Sequence, residues 1–278
     1  MQMIPIDQGL AQVLGGPIAH DDEIGVRYRR SADQRVVLEL PYAPFLAEAG
    51  EAWIGVGPLA TVLDSVCGIG AMAAMGYRES TATVDLRIDY LRDPAPETGC
   101  YVAAQAVHVG GEPEAGMVMM RAEARETGSE TLLACATGEF IRRRLPKLEP
   151  RRGHGAVAAM STAPNYRGLM EFVSQPDGLR MPFRPGLVGN GSLPSLHGGA
   201  VAAHLQRAAG EAVAKERSGR PARLTTAHFS FLRFAGTADT LAQAEIDHLG
   251  ASVASVRVTS TQEVGRVIAR AACTFLCL

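Results

Sequence analysis

The chain has 278 residues, 47% hydrophobic and 20% charged, an ordinary globular balance with material for one large domain or two of usual size. A net charge of −2 excludes the strongly basic footprint of a nucleic-acid binder. No apolar segment is read as approaching the roughly 20 residues that span a bilayer. The start, MQMIPIDQGL, lacks the basic and apolar regions of a signal peptide, so the expectation is a soluble cytoplasmic protein without a membrane partner.

The first expected element is a short helix over DQGLAQVL, residues 7–14, followed by one or two strands. A long helix then runs from Gly57 to Met75, with Asp64 its only charged residue and Ala, Val, Leu, Ile and Met on every side. A helix apolar all round is a buried one. From Thr83, TVDLRIDYLR alternates Val84, Leu86, Ile88 and Tyr90 with Asp85, Arg87 and Asp89, the pattern of an antiparallel sheet with one wet face. Strand-like runs follow at 100–109, 116–125 and 131–141. Residues 142–164, rich in Arg, Pro and Gly and without periodicity, read as a linker. Its five arginines suit a solvated connector or a phosphate patch.

A second series then begins. NYRGLMEFV (165–173) is a short helix, SLPSLHGGAV (192–201) opens an Ala-rich helix, and an alternating strand starts at Leu224. Runs at 240–248, 252–261 and 265–276 complete it. LHGGAVAAHLQRAAG from Leu196 aligns with IGVGPLATVLDSVCG from Ile54 at an offset of 142. Phe231-Leu232-Arg233 aligns with Tyr90-Leu91-Arg92 at an offset of 141. The chain thus divides into residues 1–141, which carry Asp64, a linker at 142–164, and residues 165–278, which carry His197-Gly198-Gly199. A buried helix wrapped by an antiparallel sheet is the hotdog architecture. The expected fold is α+β: a double hotdog with its two sheets joined as a pseudo-dimer.

Cys67, Cys100, Cys135, Cys273 and Cys277 form no metal-ligand pairs and read as reduced structural thiols. No metal and no cofactor is expected.

Two features carry chemistry. A glycine-opened helix start presents unpaired N–H groups and the positive end of the helix dipole, so His197-Gly198-Gly199 is either an oxyanion or carbonyl-polarising site or a plain turn into a helix. Asp64, costly in an apolar helix, is either a general base or nucleophile or a carboxylate bonded to neighbouring backbone. Asp64 lies nine residues after Gly55, as Gln206 lies nine after His197. Nine helical residues separate the groups by roughly 12 Å, too far for one helix to bring both to a reacting centre. Antiparallel helices of two halves can do so. One composite site then holds Asp64 with His197-Gly198-Gly199, and the other holds Gln206 with Gly55-Val56-Gly57.

HGG, six residues, Asp or Glu, then a strand ending in a Tyr/Phe-Leu-Arg triplet resembles the hotdog acyl-CoA thioesterases of the phenylacetate-pathway type. The resemblance covers roughly residues 10–141 and 165–278. It implies that Asp64 is the catalytic carboxylate, that the Gly198 N–H polarises the thioester carbonyl with His197 as supporting neighbour, and that Thr83 positions water. It implies that Asn190 approaches the thioester sulfur, with Gly199 completing the substrate-binding turn. Leu224, at the position of Thr83 in the second half, cannot replace it. Every departure (Gly55, Val56, Gln206, Leu224) falls in one composite site. Arg92 and Arg233 either meet CoA phosphates or are solvated strand-end charges.

The activity implied is hydrolysis of an acyl-CoA thioester at one site. The alternatives are a non-catalytic acyl-CoA or aromatic-ligand binder, and a hydratase or dehydratase, whose D-x4-H spacing is missing. Twofold dimers being the commonest oligomers, a homodimer is expected.

Overall fold

The structure, a computed structural model, describes residues 4–31, 35–110, 116–143, 161–263 and 265–278. The first half runs α1 (Ile6–Leu14), α2 (Ala19–Ile24), a hairpin of β1 (Arg27–Arg30) and β2 (Val36–Leu40), a 3-10 turn (Pro44–Leu46) and α3 (Val56–Ala74). The strands β3 (Ser80–Tyr90), β4 (Cys100–Val109), β5 (Met117–Glu126) and β6 (Leu132–Arg143) follow. The second half runs α4 (Tyr166–Met170), β7 (Val173–Gln175), β8 (Gly178–Met181), a 3-10 turn (Pro185–Leu187), β9 (Val188–Asn190), β10 (Ser195–Leu196) and α5 (Gly198–Glu216). It ends in β11 (Ala222–Phe231), β12 (Thr240–Leu249), β13 (Val253–Gln262) and β14 (Arg266–Cys277). Most of the linker, residues 144–160, lies outside the described residues.

Twelve strands form one antiparallel sheet in the order β1-β2-β4-β5-β6-β3-β11-β14-β13-β12-β8-β7. This is the double hotdog: α3 packs on the strands of the first half, α5 on those of the second, and the two helices pack on each other. Alternation sets which strand face meets the helices. In β5, Val118, Met120, Ala122 and Ala124 are buried; in β13, Ala254, Val256 and Val258 are.

At 19 residues and a mean hydropathy of 1.5, α3 is long and apolar enough to cross a membrane, which corrects the expectation that no segment approaches that length. Its most apolar window is 83% buried inside the protein, as an all-round apolar helix in a core must be. All five cysteines are free.

The halves meet at β3 and β11. Asp89 pairs with Thr226, Arg87 with His228 and Asp85 with Ser230. Arg87 and His228 correspond at the offset of 141, so this equivalent pair sits at the centre of the seam, and the pairs on either side of it are exchanged as a pseudo-twofold requires. Both strands also bulge at equivalent places, between Thr83 and Asp85 against β6 and between Leu224 and Thr226 against β14. This register brings the start of β3 beside the end of β11, and hence the middle of α3 beside the opening of α5.

Candidate active site

A cavity of about 460 Å³ opens between the halves, with Asp64, Thr83, Asn190, His197, Gly198 and Arg233 in its wall. Apolar side chains, among them Ile69, Met72, Phe140, Phe231 and Ile268, line much of the rest, with Ser65 also in the wall. Asp64 is buried at 5% exposure two turns into α3. The Thr83 hydroxyl, beside the β3 bulge, donates to Asp64 Oδ1 at 2.8 Å. Burial raises the Asp64 pKa above the usual carboxylate value; His197, the Thr83 hydroxyl and the Gly199 N–H oppose that rise without cancelling it.

The other wall is the start of α5. His197 is its N-cap, with extended torsions and with Nδ1 accepting from the Gly199 N–H at 3.0 Å. His197 Nδ1 lies 3.8 Å from Asp64 Oδ2. The two glycines are required by close approach. A Cβ on Gly198 would sit 2.7 Å from Asp64 Oδ2, and one on Gly199 would sit 2.4 Å from the Thr61 Cα of α3. The carboxylate therefore lies against the opening N–H groups of a helix from the opposite half, where the positive end of the dipole faces it. Among the described residues the Gly198 N–H has no acceptor in the chain, the state of a donor open to a ligand.

Asp64, Thr83, His197 and Gly198 thus share one place. Asn190 lines the same cavity, its Oδ1 fixed by the N–H groups of Ser192 and Leu193 at 3.0 and 3.1 Å. Arg233 stands at the cavity wall and donates to the Val267 carbonyl at 2.7 Å. Arg92 is exposed and absent from that wall, which favours for it the second of the two readings, a solvated strand-end charge. Nine strand residues carry it about 30 Å from Thr83, while the antiparallel seam returns the end of β11 to the site.

The equivalent place around Gln206 is filled differently. Gln206 Nε2 donates to the Tyr90 hydroxyl at 2.6 Å, the Tyr90 hydroxyl reaches the Val56 carbonyl at 3.4 Å, and the Tyr166 ring packs where a Gly57 Cβ would lie, 2.4 Å away. Leu224 is buried nearby. That cleft, about 480 Å³, has no carboxylate at the position matching Asp64.

Sequence reasoning missed a second layer. Asp21, on the unanticipated α2, is fully buried, and its Oδ1 and Oδ2 accept from the Ser65 hydroxyl at 2.6 Å and the Tyr28 hydroxyl at 3.0 Å. Ser65 Oγ is 3.0 Å from His197 Nε2. Burial lowers the His197 pKa, which favours the neutral ring. With Nδ1 accepting from Gly199, the proton sits on Nε2 and is donated to Ser65. The available signal was Ser65 itself, a hydroxyl beside Asp64 in an apolar helix.

A family described as the acyl-CoA thioesterase N-terminal domain matches residues 190–276, the second half of this chain. No curated protein matches the sequence. Among solved structures, a protein assigned as a thioesterase from Novosphingobium aromaticivorans is 15% identical, with a TM-score of 0.64 over 90% of this chain and 98% of its own. The tesB protein of Mycobacterium avium subspecies paratuberculosis is 14% identical, with a TM-score of 0.63 over 93% of this chain and 98% of its own. The 12:0-ACP thioesterase of Umbellularia californica is 10% identical, with a TM-score of 0.56 over 92% of this chain and 96% of its own. These likenesses show the fold; with the family match they support a thioester hydrolase.

Proposed function

We propose that the chain is an acyl-CoA thioesterase of the phenylacetate-pathway type, with one composite site built from both halves. The observation that carries the reading is the seating of Asp64 against Gly198, too close for any side chain there. The thioester carbonyl oxygen accepts from the Gly198 N–H, which stabilises the developing oxyanion by on the order of 3 kcal/mol. Asp64, held by Thr83, removes a proton from water as the water oxygen adds to the carbonyl carbon. The tetrahedral intermediate collapses, the C–S bond breaks, and the thiolate takes the proton from Asp64, leaving free acid and CoA. Asn190 is placed to steady the sulfur, Gly199 supports the turn through His197, and Arg233 faces CoA phosphate. Arg92 plays no part. The family match to acyl-CoA thioesterases favours a CoA substrate.

The Gln206 site has no carboxylate at the position matching Asp64 and does not turn over. The halves act as a fused pair of repeats, and the whole protein is a homodimer in the cytoplasm. A panel of acyl-CoAs assayed for thiol release tests the activity: release expected for the parent protein, against tight binding without release for a mere binder.

A further inference from the structure

Resting on that reading of the site, we infer that Asp21 and Ser65 are positioning residues that set the tautomer of His197 and, through it, the donors at the opening of α5. The hydrogen bonds run in one direction. Tyr28 and Ser65 both donate to Asp21, which leaves Ser65 Oγ to accept from His197 Nε2–H and His197 Nδ1 to accept from the Gly199 N–H. The Gly199 N–H is thereby engaged, while its neighbour at Gly198 faces the cavity. Reversal of the ring tautomer would set Nδ1–H against the Gly199 N–H, two donors face to face, and would turn the first peptide units of α5.

The support for this relay is buried and comes from both halves. Asp21 is fully buried, Ser65 is 3% exposed and His197 is 5% exposed, so water does not compete for these bonds. Beside Asp21 on α2, Glu23 pairs with Arg184 of the second half, and Arg184 also donates to the Leu169 carbonyl at 2.6 Å. The short α2 is thus clamped to the half whose helix it orients. Asp21 and Ser65 act through His197; their hydrogen bonds join them to it and to Tyr28 rather than to the reacting atoms.

The test combines kinetics with histidine nitrogen-15 NMR on the full chain. The parent ring of His197, identified by loss of its signals in His197→Gln, is expected to show a protonated Nε2 and a bare Nδ1 at pH 7. Ser65→Ala and Asp21→Asn are each expected to lower kcat roughly ten- to hundredfold, the scale of a small misplacement of catalytic groups, with KM held within about twofold. The double variant is expected to lose no more than about twofold beyond the worse single one, because both changes cut one chain. A parent ring protonated on Nδ1, or kinetic losses that multiply in the double variant, overturns the relay. Should Asp21→Asn fail to fold, Ser65→Ala decides alone: full kcat there overturns it. Absence of thiol release from the parent protein would refute the thioesterase reading, and the ring tautomers of parent and Ser65→Ala would still judge the relay.

Discussion

Replacing Gly198 with alanine probes the contact on which the site depends. Its φ lies outside the left-handed region, so alanine meets no backbone strain, and the perturbation is a single methyl. That methyl would stand 2.7 Å from Asp64 Oδ2 and 3.2 Å from Asp64 Cγ. Carbon–oxygen contact needs over half an ångström more, and the carboxylate cannot retreat freely because Thr83 holds its other oxygen at 2.8 Å. Overpacking of this kind costs about 1–3 kcal/mol, enough to lower Tm by a few degrees yet leave the protein folded. Catalysis loses more, since an error approaching 1 Å costs about a hundredfold in rate. Gly210 supplies the control: it lies on the same helix with nothing within 4 Å of its would-be Cβ. Gly210→Ala should keep full activity and gain up to about 1 kcal/mol of stability from helix propensity. Thiol release measured on both variants, with thermal melts alongside, decides the matter. Gly198→Ala with the parent's kcat/KM and Tm would refute the contact and the mechanism drawn from it.

Other expectations follow from the same geometry. The folded pKa of Asp64 is raised, so its ionisation costs stability as pH rises through that value. Asp64→Asn should therefore melt one to a few degrees higher at pH 7, the scale of about 1 kcal/mol for a chain this size, while losing activity. In the parent protein, kcat/KM should fall on acidification through a midpoint above the ordinary aspartate value, because the base must be ionised. Thr83→Val, which removes only the hydroxyl, should cost roughly tenfold or more in kcat and move that midpoint upward; an unmoved midpoint would show that the 2.8 Å bond does not tune Asp64. Arg233→Ala should raise KM for acyl-CoA severalfold, and Arg92→Ala should leave KM unchanged.

How far the sequence reaches is visible in particular residues. A long run apolar on every side specifies α3 and the alternation specifies the strands, and most observed ends lie within a residue or two of those expected. Asp64 stood out because a lone charge in an apolar helix needs a reason, and the spacing from Gly55 required a partner from the other half. Arg92 and Arg233 could not be separated that way. Their triplets are equivalent, and only the antiparallel pairing of β3 with β11 decides which end reaches the Asp64 cavity. Nor was α2 legible: AHDDEI has six residues, too few for a period, and three acids that look solvent-facing. Asp21 is buried there because Ser65 and Tyr28, 44 and 7 residues away, donate to it, and distant partners of that sort leave no local pattern.

The central claim is one working site composed of two halves, and the most direct measurement compares Asp64→Asn with Gln206→Ala in acyl-CoA hydrolysis. The account predicts that Asp64→Asn loses at least a hundredfold in kcat, the lower range for a general base, while Gln206→Ala stays within about twofold of the parent. Equal losses in the two variants, or full activity in Asp64→Asn, would contradict it.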